Sequence, residues 1–266
     1  MGVINVTPDS FSDGGRFANS AAAVSHALQM VEDGAGLIDV GGESTRPGAQ
    51  GVSTEEEISR VIPVIEALAE RIKVPISIDT SKPPVMTAAV RAGASMINDV
   101  RALREPGALE AAAGTDAAVC LMHMQGEPRT MQAEPRYGDV VAEVCDFLRE
   151  RAAACLASGI AADRLVVDPG IGFGKRLEHN LALLAGLPAL TGLGWPVLIG
   201  VSRKSMFGTL LGRAVDERVA GGVAVATAAV LAGASIVRTH DVAATVDAVK
   251  VAVALREAGK AVGCRQ

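Results

Sequence analysis

The sequence predicts a single (β/α)8 barrel, because short apolar runs alternate with helical segments along the whole chain. Eight apolar runs rich in β-branched residues recur within 266 residues, as expected of parallel strands that are buried on both faces. The phrases DGAGLIDV, RAGASMIND and LAGASIVRTH each place a glycine between a helical segment and the next strand. Repeated strand–helix units in a chain of this length are typical of this α/β barrel.

The elements follow one another in a regular order. Strands are predicted at residues 2–5, 37–40, 75–79, 95–98, 118–123, 165–168, 196–201 and 235–239. Helices are predicted at residues 21–32, 55–71, 84–92, 106–113, 140–157, 181–187, 217–231 and 244–258. The alternative is a doubly wound open sheet, which would more often have fewer strands and a phosphate-binding fingerprint after the first one. No linker interrupts the pattern, so we expect one barrel domain over residues 1–258 and a tail over 259–266.

Composition excludes several classes of protein. Hydrophobic residues make up 49% and charged residues 21% of the chain, as in ordinary globular proteins. The formal net charge of −5 argues against binding to nucleic acid or to an anionic membrane, since both need a positive surface. No apolar run approaches the roughly 20 residues of a membrane-spanning helix. The four cysteines form neither C-x-x-C nor zinc spacing, so we expect reduced thiols and a cytoplasmic protein.

Polar residues end every predicted strand, where the active sites of such barrels lie. Helix capping explains any one of these positions but explains the whole set less well. The residues at or just after the strand ends include Asn5, Asp79, Asn98, His123, Asp168, Lys204, Arg238 and His240.

These residues divide into two chemical groups. Asp79, Asn98 and Asp168 can bind a flat heterocycle that carries several N–H donors, because a carboxylate accepts two adjacent N–H groups at once. The cations Arg46, Lys204, Arg238 and His240 suit a phosphate or pyrophosphate. Together they suggest a transferase that acts on a phosphorylated heterocycle.

The glycine-rich segment DPGIGFGK at residues 168–175 matches neither a Walker A motif nor G-x-G-x-x-G. Its glycines would allow the backbone to approach a ligand, with Phe173 as an aromatic face; a flexible turn ahead of a helix is the alternative. No residues have metal-binding spacing. Mg2+ held mainly by a pyrophosphate would leave almost no trace in the sequence, because Mg2+ needs few protein ligands.

Eight segments, in order, resemble dihydropteroate synthases, a family of pterin-binding barrels. They are NVTPDSFSDGG, DVGGESTRPG, ISIDTSKP, INDVRAL, LMHMQGEPRTMQ, DPGIGFGK, GVSRKSM and RTHDV. DSFSDGG and GGESTRPG are specific in combination, whereas INDVRAL or DPG alone also occurs in other pterin-binding barrels. A methyltransferase barrel should lack STRPG and SRKS, and a noncatalytic pterin-binding paralogue should have lost Asn5, Arg46, Lys204 and His240.

The resemblance implies that the chain condenses 6-hydroxymethyl-7,8-dihydropterin pyrophosphate with p-aminobenzoate, through a cationic pterin and without a covalent enzyme intermediate. The implied pterin site is Asp79, Asn98, Met122, Asp168, Phe173, Gly200, Lys204 and Arg238. The implied pyrophosphate site is Asn5, Thr45, Arg46, Arg238 and His240, with Asn5 contacting Mg2+. The implied p-aminobenzoate site, where sulfonamides would compete, is Phe11, Thr45, Arg46, Pro47, Phe173, Lys204 and Ser205. Asp79, Asp168, Lys204, Arg238 and His240 would be the catalytic residues.

The resemblance has two further consequences. Family members usually carry a short lead before the first strand, which we expect to be missing here because that strand begins almost at Met1. Family members are homodimers through their late helices, so the Ala- and Val-rich segment at residues 219–231 could be a dimer face. It could equally be a helix buried against the barrel.

Overall fold

Parallel strands form the centre of the molecule. The structure, a computed structural model, describes residues 1–7, 15–44, 51–127 and 130–263, and their side chains except at 15–19 and 261–263. The strands are β1 Gly2–Asn5, β2 Ile38–Gly41, β3 Ile76–Asp79, β4 Met96–Asp99, β5 Ala118–Met122, β6 Leu165–Asp168, β7 Leu198–Gly200 and β8 Ile236–Arg238. Each matches a predicted strand to within a few residues.

The strands lie in barrel order. β1 to β6 form one parallel sheet in sequence order, and β7 pairs in parallel with β8. Single bridges join the two sheets, between Gly2 and Thr239 and between Val167 and Val197. The N–H of Val3 also donates to the carbonyl of Thr239 at 3.1 Å. The predicted α/β barrel class is confirmed, although the hydrogen-bond ladder is not continuous at these two junctions.

Helices follow the strands. They are α1 Gly15–Glu32, α2 Thr54–Ala69, α3 Pro83–Arg91, α4 Ala108–Ala113, α5 Val140–Ala157, α6 Leu177–Ala185, α7 Leu187–Thr191, α8 Ser205–Leu211, α9 Val219–Leu231 and α10 Val242–Gly263. None of the helices in the described ranges is long and apolar enough to cross a membrane.

Helix α2 shows how the sequence determines an element. The Ser53 hydroxyl accepts a hydrogen bond from the N–H of Glu56 at 3.1 Å and so caps the first turn. Val61, Ile65 and Leu68 recur at helical spacing and are fully buried. Burying each of them contributes about 1.5–3 kcal/mol.

Several elements differ from the sequence prediction, and helix α1, predicted from residue 21, begins at Gly15. The helix predicted at 181–187 begins earlier, at Leu177, and ends at Ala185 as α6. A separate helix, α7, follows and has Pro188 in its first turn. The helix breaks here because proline is tolerated in a first turn but not in a helix interior. Helix α8, of seven residues, was not predicted. Helix α10 continues to Gly263, so the tail expected from Gly259 is helical over its first residues.

The barrel interior consists of an apolar layer beneath a polar one. Met96, Cys120, Val166 and Leu198 form a buried cluster from four neighbouring strands. Since side chains two positions apart on a strand share a face, the next inward positions lie one layer closer to the carboxyl ends of the strands. The apolar layer therefore separates the polar layer above it from the opposite end of the barrel.

Candidate active site

The polar layer contains most of the residues predicted at the strand ends. Five residues of this layer each lie two positions after a residue of the apolar layer, or after the equivalent position in β8. They are Asn98, Met122, Asp168, Gly200 and Arg238. The register places Asp79 beside Asn98, Met122 beside Asp168, and Gly200 beside Arg238.

Arg238 connects three strands. Its Nε donates to Oδ2 of Asp39 in β2 at 2.6 Å, and its Nη2 donates to Oδ2 of Asp79 in β3 at 2.8 Å. The Asn98 Nδ2 donates to the same Asp39 oxygen at 3.1 Å. Asp39 is fully buried, so these contacts hold its charge in the interior.

Two acceptors of this network remain open. Among the described residues, Oδ1 of Asp79 and Oδ1 of Asp39 are buried without a hydrogen-bond partner. Burial raises the pKa of Asp79 to about 7, although the Arg238 guanidinium offsets part of this rise and the Asp39 carboxylate adds to it. A buried acceptor without a partner is costly, so these oxygens suit a ligand that brings N–H donors.

The charges of Asp168 and Lys204 also influence each other in the site. Oδ1 of Asp168 accepts a hydrogen bond from the N–H of Gly170 at 2.7 Å. Burial raises the pKa of Asp168, and the Lys204 ammonium opposes this rise. Burial lowers the pKa of Lys204 to about 8, with the Asp168 carboxylate acting in the opposite direction.

The loop between β6 and α6 holds Lys204 from one side. The Lys204 ammonium donates to the carbonyl of Ile171 and lies 4.7 Å from the centre of the Phe173 ring. Phe173 packs against an apolar cluster that contains Met122, Val100 and two further methionines. The site therefore has charged groups on one side and an apolar wall on the other.

His240 and Asn5 lie at the rim. The Ser202 hydroxyl accepts the N–H of His240 at 3.1 Å and lies 3.0 Å from its Nδ1. Asn5 ends β1 and is half-buried. It pairs with Gly41, which pairs with Asp79. These residues thus border the Arg238–Asp79 network.

The structure brings together much of the predicted site. Asp79, Asn98 and Arg238 belong to one network, and Asp168, Lys204 and Phe173 are neighbours. Ser205 is the exposed first residue of α8, next to Lys204. Phe11, Thr45, Arg46 and Pro47 lie outside the described residues.

Asp39 is a site residue that the sequence analysis did not assign. Its side chain contacts Arg238 and Asn98 within the barrel. The signal was present in the sequence, as a carboxylate in the middle of the apolar run LIDV. A charge at such a position needs a buried partner.

Comparison with known families agrees with this geometry. A family model described as pterin binding enzyme matches residues 1–240. The chain therefore belongs to the pterin-binding enzyme family.

Named relatives narrow the assignment. Dihydropteroate synthase of Escherichia coli (strain K12) is 56% identical over 251 residues, which is 94% of this chain and 89% of the relative. The enzyme of the same name from Haemophilus influenzae is 51% identical and covers 94% of this chain and 91% of its own length. The resemblance inferred from the motifs is confirmed.

Solved structures give the same result. A Yersinia pestis dihydropteroate synthase in a sulfonamide drug complex has a TM-score of 0.92 at 53% identity, covering 97% of this chain and 94% of its own. A Xanthomonas albilineans dihydropteroate synthase with 4-aminobenzoic acid has a TM-score of 0.91 at 56% identity, covering 96% and 92%. Another structure of the Xanthomonas enzyme, in complex with 7,8-dihydropteroate, has a TM-score of 0.87 at 52% identity, covering 96% and 92%. The chain is a transferase with the dihydropteroate synthase function.

Proposed function

We propose that the polar layer of this barrel condenses 6-hydroxymethyl-7,8-dihydropterin pyrophosphate with p-aminobenzoate, releasing 7,8-dihydropteroate and pyrophosphate in folate synthesis. The observation that carries the proposal is the Arg238 network, in which buried oxygens of Asp39 and Asp79 lack partners among the described residues. A pterin ring supplies the N–H donors that such oxygens accept. The Met122–Phe173 wall provides apolar contact for the flat ring.

The reaction needs charge stabilisation more than a strong base. The C–O bond to pyrophosphate breaks, and its electron pair leaves with the pyrophosphate oxygen. The described contacts of Arg238 use Nε and Nη2, so its Nη1 can donate to that oxygen, as can His240. The carbon left behind is cationic, and carboxylates at Asp79 and Asp168 stabilise it through the ring N–H groups.

The p-aminobenzoate nitrogen then forms the new C–N bond and loses a proton to solvent or pyrophosphate. An arylamine is a weak nucleophile, but it attacks a cation here and needs no paired base. Lys204 and Phe173 would form the described part of its site, with Ser205 beside them. The remaining predicted members, Phe11, Thr45, Arg46 and Pro47, lie outside the described residues.

The residues fit a role for Mg2+. The Asn5 side chain offers one amide oxygen at the rim, and the described residues contain no cluster of three or more His, Cys, Asp or Glu suited to a metal. Mg2+ commonly takes one or two protein ligands and completes its shell with water and phosphate oxygens. Asn5 would hold the ion, which when bound would neutralise charge on the pyrophosphate.

The proposal extends to assembly and location. Val251 and Leu255 lie one turn apart on α10 and are 58% and 57% exposed, which supports a homodimer through the late helices. Cys120, Cys145 and Cys155 are free and buried, which supports a cytoplasmic protein. Sulfonamides would compete with p-aminobenzoate.

Pyrophosphate release tests this proposal. The protein is mixed with the pterin pyrophosphate and Mg2+, with and without p-aminobenzoate, and Lys204→Ala is measured beside it. Release that requires p-aminobenzoate and falls by at least about 100-fold in the variant supports the reaction and the site. If folded wild-type protein binds the pterin but releases no pyrophosphate, the proposal is wrong.

A further inference from the structure

Lys175 ends the glycine-rich segment but does not face the substrate site. Its side chain is only 3% exposed, and its ammonium lies within hydrogen-bond distance of four acceptors. These are Nδ1 of His123 at 2.9 Å and the carbonyls of Phe173 at 2.9 Å, Gly170 at 3.0 Å and His123 at 3.3 Å. None of these contacts is a carboxylate. Burial lowers the pKa of Lys175 to about 7, and the Asp168 carboxylate opposes this change. The protonated side chain has three N–H donors, which the four acceptors share.

The acceptors come from two different loops. His123 follows β5, whereas Gly170 and Phe173 lie between β6 and α6. The backbones of these loops also touch. A Cβ on Gly170 would lie 1.9 Å from the carbonyl oxygen of His123, and a Cβ on Gly174 would lie 2.3 Å from that of Gln125. Both glycines also have positive φ, so the loops can pack in this way only with glycine at these positions.

The His123 ring is suited to accept from Lys175. Burial lowers the pKa of His123 to about 3, and the Lys175 ammonium adds to this effect. The ring therefore stays neutral and can leave Nδ1 free as an acceptor. Phe147 packs edge-on against the ring with the ring centres 4.8 Å apart, which fixes its orientation.

The opposite side of the same loop contacts the site. The Ile171 carbonyl accepts from Lys204, and the Phe173 ring lies beneath the Lys204 ammonium. The side-chain oxygen of buried Asn180 accepts the N–H of Gly172 at 2.7 Å. Lys175 and Asn180 thus hold one side of the loop between β6 and α6. Residues on the other side of that loop, Ile171 and Phe173, contact Lys204 and so determine where it lies.

We propose that Lys175 is a positioning residue, whose ammonium joins His123 to the β6–α6 loop and thereby places Phe173 and Lys204 against the substrates. This inference rests on the proposed function, because it assigns Phe173 and Lys204 to the substrate site. In this role Lys175 would contact neither substrate, because its described hydrogen bonds go only to the two loops.

Steady-state kinetics of four variants test this role. Lys175→Met keeps the chain length but removes every donor. His123→Asn keeps an acceptor near Nδ1, whereas His123→Leu does not. Lys73→Met, at an exposed loop position, is the matched control. We expect kcat to fall about 100-fold in Lys175→Met, with a raised KM for p-aminobenzoate, and a smaller loss in His123→Asn than in His123→Leu.

A merely structural role would change the melting temperature and the active fraction but not kcat per active site. The proposal is overturned if folded Lys175→Met keeps kcat and both KM values within about twofold of wild type. If that variant does not fold, equal kinetics of His123→Asn and His123→Leu overturn it.

Hydrogen–deuterium exchange separates this inference from the proposed function. We expect faster exchange at residues 168–176 in Lys175→Met and none of this change in Lys73→Met. If wild-type protein releases no pyrophosphate, the proposed function fails, while the exchange result still decides whether Lys175 orders the loop. Unchanged exchange in Lys175→Met contradicts the inference.

Discussion

Arg238 at the end of β8 donates from Nε to a carboxylate oxygen of Asp39 in β2 at 2.6 Å. The Asp39 side chain is fully buried, whereas that of Arg238 is 23% exposed. Asp39 therefore anchors a guanidinium whose outer part faces the mouth of the barrel. Under the proposed function, this contact would orient Arg238 towards the pterin substrate.

Asp39→Asn should weaken both folding and catalysis. The substitution removes a charge-assisted bond but leaves Arg238 its contact with Asp79, so we expect the free energy of unfolding to fall by about 2 kcal/mol. Urea denaturation measures this change. We also expect kcat/KM for the pterin substrate to fall more than 10-fold, because Arg238 loses one of its two orienting contacts.

Asp247→Asn is the matched control, because Asp247 is exposed on α10. It should change the free energy of unfolding by less than about 0.5 kcal/mol. Equal effects of the two substitutions would show that the Asp39 contact has no special role.

Pterin binding should depend on pH through Asp79. Burial raises the pKa of this carboxyl group to about 7, so in the ligand-free protein it is protonated below that pH and ionised above it. Only the carboxylate accepts two ring N–H groups. Affinity should therefore rise about tenfold per pH unit as the pH increases towards 7, and then level off.

Calorimetric titration with 6-hydroxymethyl-7,8-dihydropterin measures this dependence without a titrating pyrophosphate. Asp79→Asn should bind more weakly and lose most of the slope below pH 7. Affinity that falls as the pH rises from 5 to 7 would contradict the assignment.

Gly170→Ala should be strongly destabilising. Its Cβ would lie 1.9 Å from the carbonyl oxygen of His123, and its φ of +65° disfavours any side chain. Gly194→Ala is the control, with φ +91° and no heavy atom within 4 Å of the added Cβ. We expect a loss of about 1–2 kcal/mol in the control from backbone conformation alone, and a loss larger by at least about 2 kcal/mol in Gly170→Ala. Similar urea midpoints for both variants would refute the packing argument.

Leu255→Glu tests the proposed dimer. Leu255 is 57% exposed on α10, so in a monomer a glutamate there should have little effect on folding. At an apolar dimer interface, it would place charges in the contact and shift the protein to monomers. Sedimentation equilibrium distinguishes the outcomes, and a wild-type protein that is monomeric at micromolar concentration would exclude the dimer.

The regular part of the fold could be predicted from the sequence because its signals are local. Short apolar runs predicted the strands, and the polar residue at the end of each run predicted where Asp79, Asn98, Asp168 and Arg238 would meet. Each of these residues needed only its own strand to be recognised. The barrel geometry then brings the strand ends together.

The remaining features depend on contacts between distant segments. Asp39 lies 199 positions from Arg238 in the sequence. The apolar run around Asp39 therefore could not indicate which residue its carboxylate contacts across the barrel. Lys175 looked like part of a glycine-rich loop facing a ligand, yet its ammonium points to His123 behind that loop.

The most direct test is the formation of 7,8-dihydropteroate, followed by chromatography with mass detection after the protein is mixed with both substrates and Mg2+. Wild-type protein and Asp168→Asn, which keeps the shape of the side chain but removes its charge, are measured together. We expect wild-type protein to form the product at the rate at which it releases pyrophosphate, and the variant to form it at least about 100-fold more slowly. Folded wild-type protein that binds the pterin substrate but forms no dihydropteroate would contradict the account.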